Sequence, residues 1–452
     1  MHDTITITHN LASFSVTEEP KPVETEGKMR FTITSGAMES EVKRHCDRCG
    51  GVMHVHQCHT VRIQHVALMA RPHLLSVTYV RTRCTGCGYI TSQDLPFKDP
   101  HHRITKHLRY QAIKYLAMGL TLSEVSRLLH IHPAIVKEID KSRLESLFPK
   151  GPPKGYSTHI AVDEFLLHRG HRYATVVIDV ESGDVLFCEE GKKKEQVLHF
   201  IQAMGKRWMS RVQAVSMDMN AQYDSAFREW APHVKIVYDL FHIVKLYNDS
   251  VITLMRRRKQ NELKEQDRET EYQLFKNMRF VLTASRSTLQ QQDAQARENN
   301  WELQEEFLKK GLSLPPGRRL MRVGKEKRLD DLLAQNADFA VAYILLEQLK
   351  LAFVQSDRRN LEMGMHDWMR LARQSKVPEI IKFASTIDAH LEGILNHADH
   401  PISSGKLEGT NNLIKTIRRK AYGFHDTQYF FLKIMEATRR PPATYRSHRK
   451  MS

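Results

Sequence analysis

Two aspartates stand in apolar stretches where strands are expected. Asp163 interrupts the run IAVDEFLL, and Asp218 ends the run VQAVSMDM. An ionised carboxylate is costly to bury alone, and a divalent cation is the simplest compensation. Taken singly, either aspartate is typical of a turn at a strand end. The two together favour a metal site with oxygen ligands, which suits Mg²⁺ or Mn²⁺ better than zinc.

A third candidate carboxylate, Glu408, lies near the start of a predicted helix. At helical spacing one helix face carries a carboxylate, an amide and two cations: Glu408, Asn411 or Asn412, Lys415 and Arg419. A solvated amphipathic helix with a glutamate in its first turn is the alternative. Three such carboxylates can hold two Mg²⁺ ions about 3.5–4 Å apart, an arrangement suited to phosphodiester cleavage and joining.

Four of the six cysteines form two CxxC pairs. CDRCGG contains Cys46 and Cys49, and CTGCGY contains Cys84 and Cys87. Each pair adjoins a strand-like segment, which predicts a zinc ribbon with four thiolate ligands around one Zn²⁺. Four free thiols in a small β-domain are the alternative. A nearby residue also remains open as a substitute ligand, namely Cys58, His45, His54, His56 or His59.

Residues 103–145 read as three helices. The second opens with Thr121 and carries Glu124 three positions on, which is a capping box, and the third has Pro133 in its first turn. The short turn between them fits a helix-turn-helix, and a plain three-helix bundle is the alternative. In the first case the third helix enters a DNA major groove and uses Lys137, Lys141 and Arg143 or their neighbours.

Past the linker PKGPPKGYS the pattern changes to strands and helices in the order β-β-β-α-β-α-β. The first three strands are joined by short turns and predict an antiparallel meander. This order resembles the ribonuclease-H-like nuclease fold in topology. A long, charged helical stretch follows from about residue 239 to 397. Its basic run at 315–328 is either a solvated loop or a DNA contact.

The charge of the 452-residue chain excludes an ordinary acidic housekeeping enzyme. Lys and Arg number 68 against 52 Asp and Glu, giving +16, and residues 101–150 and 401–452 supply +5 and +8 of it. Such an excess predicts a polyanionic partner, because Lys and Arg that neutralise phosphates release counterions. No membrane partner is expected, since no apolar stretch approaches roughly 20 residues. Without a signal-type start, the protein is expected to stay in the compartment where it is made.

Four segments together carry a specific resemblance: VDEF, SMDMNAQY, YDLFHIVK and SSGKLEGTNNLIKTIRRKAYGF. In this order they resemble the bacterial insertion-sequence transposases of the DDE type, in particular the ISL-three family, over roughly residues 44–437. The resemblance implies a catalytic triad of Asp163, Asp218 and Glu408 with Mg²⁺ or Mn²⁺. It implies that Asn411, Lys415 and Arg419 position phosphate. It also implies zinc on Cys46, Cys49, Cys84 and Cys87.

The YDLFHIVK segment matches the family at Asp239, Phe241, His242 and Lys245. Asp239 and His242 then either support the metal ligands or contact the substrate strand. The resemblance further implies a homodimer or higher oligomer on DNA that binds terminal inverted repeats and joins the cut ends to target DNA. It also implies a cytoplasmic, nucleoid-associated location in a bacterium. A zinc-dependent regulator without turnover, or a nuclease without strand transfer, is the alternative.

We therefore expect a multidomain α/β protein of six parts. They are a flexible arm (1–43), a zinc ribbon (44–98), a helix-turn-helix domain (99–150), a ribonuclease-H-like mixed sheet (158–245 and 400–437), a large helical insertion (246–399) and a basic tail (438–452).

Overall fold

The structure is a computed structural model, and it describes most of the chain. The described residues are 11, 13–18, 21–25, 28–39, 41–68, 70–168, 170–309, 320–355, 357–402, 405–421 and 423–439. The chain divides into two compact units, Met1–Pro149 and Lys150–Ser452. The expected basic tail lies almost entirely outside the described residues, as does part of the basic run at 315–328.

The first unit contains a six-stranded sheet. Its strands are β1 (Phe14–Val16), β2 (Lys21–Thr25), β3 (Lys28–Met38), β4 (Met53–Leu68), β5 (Arg71–Cys84) and β6 (Ile90–Ser92). The order is β1-β3-β5-β4, with β2 beside β3 and β6 beside β5. The long hairpin β4–β5 is antiparallel, whereas β3 and β5 are parallel.

The expectation of a flexible arm over residues 1–43 is corrected for its described part. Strand β3 pairs with β5 from Thr32 opposite His73 to Ala37 opposite Thr78. Phe14 of β1 is buried and lies 5.6 Å from the ring of Phe97, measured between centroids. The segment MRFTIT thus belongs to a paired strand, in which Thr34 and Gly36 are buried and Met38 packs against the sheet core.

The three predicted helices are present: α1 (Lys106–Ala117), α2 (Leu122–Leu129) and α3 (Pro133–Leu147). Thr121 and Glu124 form the capping box of α2, and Pro133 is the first residue of α3. The helices enclose a core of their own and also pack on the sheet. The Gln64 side chain of β4 donates to the carbonyls of Leu129 and His130 at 2.9 and 3.0 Å.

The second unit is built on a five-stranded mixed sheet of order β11-β10-β7-β8-β9. Its strands are β7 (His159–His168), β8 (Arg172–Asp179), β9 (Val185–Glu190), β10 (Ala214–Met217) and β11 (Lys235–Tyr238). Strands β7, β8 and β9 form the predicted antiparallel meander. Strands β10 and β11 run parallel to β7, so these three share one carboxyl edge.

Helices cover both faces of this sheet. Along β7, Ile160 and Val162 belong to the core shared with α4 (Lys194–Met209) and α5 (Ala221–Trp230). The alternate residues Ala161 and Phe165 belong to a second core with α16 (Gly405–Lys420) and α17 (Thr427–Thr438). Asp163 lies between Ala161 and Phe165 in the strand period, so its side chain faces α16.

The described residues between β11 and α16 are mostly helical, as predicted from the periodicity. It comprises α6 (Leu240–Tyr247), a π-helical turn (Asn248–Ile252), α7 (Thr253–Glu265), α8 (Glu269–Asn277), α9 (Arg279–Thr283), α10 (Arg286–Lys309), α11 (Lys325–Gln335), α12 (Ala337–Phe353), α13 (Arg358–Gln374), α14 (Pro378–Ala389) and α15 (Leu391–Asp399). Tyr247, Trp368 and Phe383 pack edge to face in its core. No helix within the described ranges combines the length and apolar character needed to cross a membrane.

Candidate active site and candidate metal centres

Three aspartates lie at the shared carboxyl edge of the second sheet. Ser216 of β10 is level with Ala161 of β7, so Asp218, two residues further, is level with Asp163. Met217 is level with Tyr238 of β11, which places Asp239 beside Asp218. Because carboxyl ends of parallel strands meet at one edge, sequence-distant acids become neighbours there.

Asp163 is surrounded by protein on both sides of its carboxylate. The Glu164 N–H donates to Oδ1 and the Asn411 side-chain amide of α16 donates to Oδ2, each at 2.7 Å. Burial raises the pKa of Asp163 above its ordinary value, and the negative charge of Asp218 acts in the same direction. The sequence placed Asn411 on the helix face of Glu408, and the structure shows that its amide contacts Asp163.

His242 joins the other two aspartates. Its Nδ1 lies 2.7 Å from Asp218 Oδ1, and its Nε2 lies 3.6 Å from Asp239 Oδ2. The hydrogen bond to Asp218 raises the pKa of His242, and both nearby carboxylates add to this effect. Asp239 also caps α6 by accepting the Phe241 N–H at 2.9 Å. The residues matched in YDLFHIVK thus lie at the same edge as Asp163 and Asp218.

Helix α16 is fastened to β7 near this edge. The Arg418 guanidinium donates to the carbonyls of Leu166 and Leu167 at 2.7 and 3.3 Å. Glu408 occupies the first turn of α16, one turn before Asn411, with its side chain exposed. Lys415 and Arg419 lie on later turns and are also exposed. The sequence pattern did not single out Arg418, although it belongs to the same cationic helix end.

The structure brings Asp163 and Asp218 to one edge of the sheet but does not gather the three expected acids into a tight group. Among the described residues, one group of three or more metal-ligand residues has all its ligand atoms within 4.8 Å, and that group consists of cysteines. Asp163, Asp218 and Glu408 are therefore not gathered that closely. Two acceptor atoms at this edge, Glu164 Oε2 and Asn411 Oδ1, are buried and have no hydrogen-bond partner among the described residues.

Glu164 is a site residue that the sequence pattern did not single out. Burial raises its pKa, while Lys192 opposes that shift and both Asp163 and Asp218 reinforce it. The signal that could have found it is the dipeptide Asp163-Glu164 in one apolar strand, since two adjacent acids there are harder to explain as turn formers than one.

The cysteine group is formed by the four residues expected to bind zinc. Sγ of Cys46 lies 3.6 Å from Sγ of Cys87, and Sγ of Cys49 lies 3.5 Å from Sγ of Cys84. Tetrahedral zinc with Zn–S bonds of about 2.3 Å requires sulfurs roughly 3.8 Å apart, so the spacing fits. The alternative ligands Cys58, His45, His54, His56 and His59 lie outside this group.

Backbone N–H groups next to two of these sulfurs lower the pKa of the thiols. N–H groups of Cys87 and Gly86 help lower the pKa of Cys84 to about 6. The Gly51 N–H likewise lowers the pKa of Cys49, but contacts with the other three sulfurs outweigh it and raise the pKa of Cys49 to about 12. A side chain at Gly51 would meet the sulfurs of Cys84 and Cys49 at 3.0 and 3.3 Å, so glycine leaves this space free.

On α3, the three expected DNA-contacting residues differ in their surroundings. Lys137 and Lys141 are half-buried. The Nε of Arg143 lies 3.0 Å from Oδ1 of buried Asp140 and its side chain is 9% exposed, so its expected DNA contact stays a prediction. Because this carboxylate neutralises the guanidinium, Arg143 stabilises the helix packing.

Comparisons with known proteins identify the family of this chain. Residues 160–434 match the model of the family DDE_Tnp_ISL3, described as transposase. The chain is 30% identical over 393 residues to the transposase for insertion sequence element IS1001 of Bordetella parapertussis, covering 87% of this chain and 88% of that protein. It is 26% identical over 271 residues to the transposase for insertion sequence element IS1557 of Mycobacterium tuberculosis, covering 60% of this chain and 57% of that protein.

Proposed function

The chain belongs to the ISL3 family of transposases, and from this premise we propose that it cuts DNA at the terminal inverted repeats of its own insertion sequence and joins the ends to target DNA. The resemblance found in the sequence is confirmed. The relatives are named as transposases, and nothing in the comparisons favours a regulator without turnover.

One observation carries the proposal for the chemistry. Asp163 and Asp218 lie level on adjacent parallel strands, and the Asn411 amide of α16 donates to Asp163 at 2.7 Å. This hydrogen bond, with the Arg418 contacts to β7, holds the helix that carries Glu408 against the edge with the two aspartates. The sheet order β11-β10-β7-β8-β9 with helices on both faces supports a ribonuclease-H-like catalytic domain.

The residues at this edge fit divalent cations that prefer oxygen ligands. Asp163, Asp218 and Glu408 would hold Mg²⁺ or Mn²⁺, and Oδ1 of Asn411, whose amide contacts Asp163, is a further buried oxygen acceptor without a partner among the described residues. Bound metal ions would activate the attacking hydroxyl and stabilise the leaving oxygen of the phosphodiester. Carboxylates of like charge near one another repel, and bound cations would offset that repulsion.

Neighbouring groups of the protein orient the carboxylates that are proposed to hold the metal ions. Asn411 and the Glu164 N–H fix both oxygens of Asp163, and His242 holds Asp218 from the side of Asp239. Lys415 and Arg419, exposed on later turns of α16, suit the DNA backbone next to the cleaved bond.

For the first unit, we propose zinc on Cys46, Cys49, Cys84 and Cys87 and recognition of the inverted repeats through the ribbon and α3. The short sulfur–sulfur distances support the zinc site, and the packing of the three helices on β4 supports a single DNA-binding body. We also propose that the protein acts as a homodimer or higher oligomer bound to the two transposon ends.

Cleavage and joining of a labelled duplex test the proposed function. The duplex carries the inverted repeat found beside the coding region, and the full-length protein is assayed with Mg²⁺. We expect the wild type to cut and join this DNA, and Asp218→Asn to bind it equally well without cutting. Binding without cleavage by both proteins, with Mg²⁺ or Mn²⁺, contradicts the enzymatic proposal.

A further inference from the structure

Helix α9 contacts the π-helical turn that precedes α7, which brings three arginines near one another, and none of them pairs with an acid among the described residues. Arg256 and Arg257 are on α7, and Arg279 begins α9. Arg256 donates one hydrogen bond, from Nη1 to Gln260 Oε1 at 3.3 Å, and its Nε is buried with no partner among the described residues. Arg257 and Arg279 are exposed, and their side chains form no hydrogen bond or ion pair within the described part of the chain.

The charges of these three residues repel one another. Burial lowers the pKa of Arg256, and the nearby positive charges of Arg279 and Arg257 lower it further. The next two basic residues of α7, by contrast, lie close to acids. Arg258 lies 3.2 Å from Glu379, and Lys259 lies 3.3 Å from Glu262. The neighbouring cations of α7 are thus paired with acids, whereas Arg256, Arg257 and Arg279 form no ion pair among the described residues.

A further cation and an aromatic ring extend this surface. Phe280, next to Arg279, is 49% exposed, and the Lys325 ammonium lies 5.5 Å from its ring centroid. Lys325 belongs to the described part of the basic run at 315–328, which the sequence left open between solvated loop and DNA contact. We call Arg256, Arg257, Arg279 and Lys325 the arginine cluster.

We propose that the arginine cluster binds phosphate groups of duplex DNA, as a contact surface additional to the catalytic edge and to α3. The planar guanidinium pairs with two phosphate oxygens at once, and a phosphate supplies the negative charge that this surface lacks. The choice of DNA as the polyanion rests on the proposed function. The arginine cluster then grips the DNA backbone without reading its sequence.

Fluorescence anisotropy with the full-length protein tests this inference. The probes are two fluorescein-labelled duplexes of about 30 base pairs, one of arbitrary sequence and one with the inverted repeat, in buffer without Mg²⁺ at several salt concentrations. A triple variant combines Arg256→Gln, Arg257→Gln and Arg279→Gln. Arg257→Gln alone changes only an exposed residue, and Arg370→Gln is the matched control, since Arg370 is exposed and paired with Asp367 at 3.0 Å.

The triple variant should bind both duplexes roughly tenfold or more weakly, and its salt slope should be smaller by about 0.9 for each phosphate that it no longer neutralises. Arg257→Gln should show part of this weakening, and Arg370→Gln none. The melting temperature of the triple variant should equal or exceed that of the wild type, because fewer like charges remain together. A triple variant that melts at a lower temperature indicates that the arginines hold the fold, and this result overturns the inference.

Unchanged affinity and unchanged salt slope in the triple variant also overturn the inference. If these variants bind DNA as the wild type does and instead fail to associate with a second copy of the chain, the cluster is a protein contact and the DNA assignment is wrong. A wild type that binds both duplexes yet cuts neither contradicts the proposed function alone, because the binding assay requires no turnover.

Discussion

Asp163 shows at the scale of one residue how the candidate site is ordered. Each of its two carboxylate oxygens accepts one hydrogen bond. One comes from the N–H of the next residue in β7, and the other comes from the amide of Asn411, which lies 248 positions later. Burial and the neighbouring Asp218 raise its pKa, so its charged form depends on these donors and on any cation between the acids. Residues that touch metal ligands in this way usually affect metal affinity and activity.

Asn411→Ala should therefore weaken the response of DNA cleavage to Mg²⁺. Loss of the amide leaves Asp163 Oδ2 without its donor, and we expect the Mg²⁺ concentration for half-maximal cleavage to rise roughly 10- to 100-fold. Cleavage of the inverted-repeat duplex in a Mg²⁺ titration measures this. Asn412→Ala is the matched control, because Asn412 is the adjacent amide and is exposed. Equal Mg²⁺ dependence in the two variants would count against the role of Asn411.

His242 should make the stability of the metal-free protein depend on pH. Contacts with Asp218 and Asp239 raise its pKa in the folded state, so protonated His242 stabilises the fold at low pH. This contribution is fully present below the unfolded-state pKa of about 6.5 and is lost as the pH rises through the folded-state pKa.

Thermal unfolding between about pH 6 and pH 9 without Mg²⁺ measures this effect. The wild type should lose more stability than His242→Gln over that interval, because the variant has no imidazolium to titrate. Parallel curves for the two proteins would show that the contacts of His242 with the aspartates contribute nothing to folding.

At the scale of elements, the position of the carboxyl edge depends on close packing behind β11. Helix α15 lies against this strand, and Gly393 faces the ring of Tyr238 so closely that any Cβ would overlap it. Asn396 of the same helix donates to the carbonyl of Ile236 at 2.9 Å. Since Asp239 directly follows Tyr238, displacement of α15 would also move Asp239 and His242.

Gly393→Ala should thus destabilise the protein despite the higher helix propensity of alanine. The added methyl has to displace the buried Tyr238 ring, and overpacking of this kind costs about 1–3 kcal/mol. Gly409→Ala is the control, because Gly409 lies within α16 with open space around its Cβ position, so alanine should keep or slightly raise stability there. Urea unfolding midpoints decide the matter, and equal midpoints for the two variants would contradict the packing argument.

At the scale of the whole molecule, the two compact units are expected to respond separately to zinc. The four sulfurs lie in the first unit, and the aspartate edge lies in the second. Structural zinc sites couple metal binding to folding, since the site is not preformed in an unfolded chain. Loss of zinc should consequently affect recognition of the inverted repeats far more than the fold around the aspartates.

Cys46→Ser should reduce the zinc content from about one ion per chain to a small fraction of that and weaken binding to the inverted-repeat duplex. Atomic absorption and anisotropy provide the two readouts. Cys58→Ser is the control, because Cys58 is an exposed cysteine of β4 outside the sulfur group, and it should retain zinc and binding. Zinc content unaffected by Cys46→Ser would overturn the assigned ligands.

Local sequence patterns determined much of this protein. The CxxC spacing identified the four cysteines, capping residues placed the three helices, and alternation predicted the β7–β9 meander. Asp163 and Asp218 were recognisable because carboxylates in apolar strands are unusual. These features follow from the sequence because each depends on residues close together in the chain, where helix and strand geometry fixes which side chains share a face.

Only the tertiary structure decided which of these surfaces meet. It paired β3 with β5, set Asn411 on Asp163 and placed His242 between two aspartates. It also paired Arg143 with Asp140 and, within the described part of the chain, gave Arg256 no acid, although both arginines look alike in the sequence. The reason is physical: charge compensation and burial depend on neighbours supplied by distant segments, and local periodicity contains no information about those neighbours.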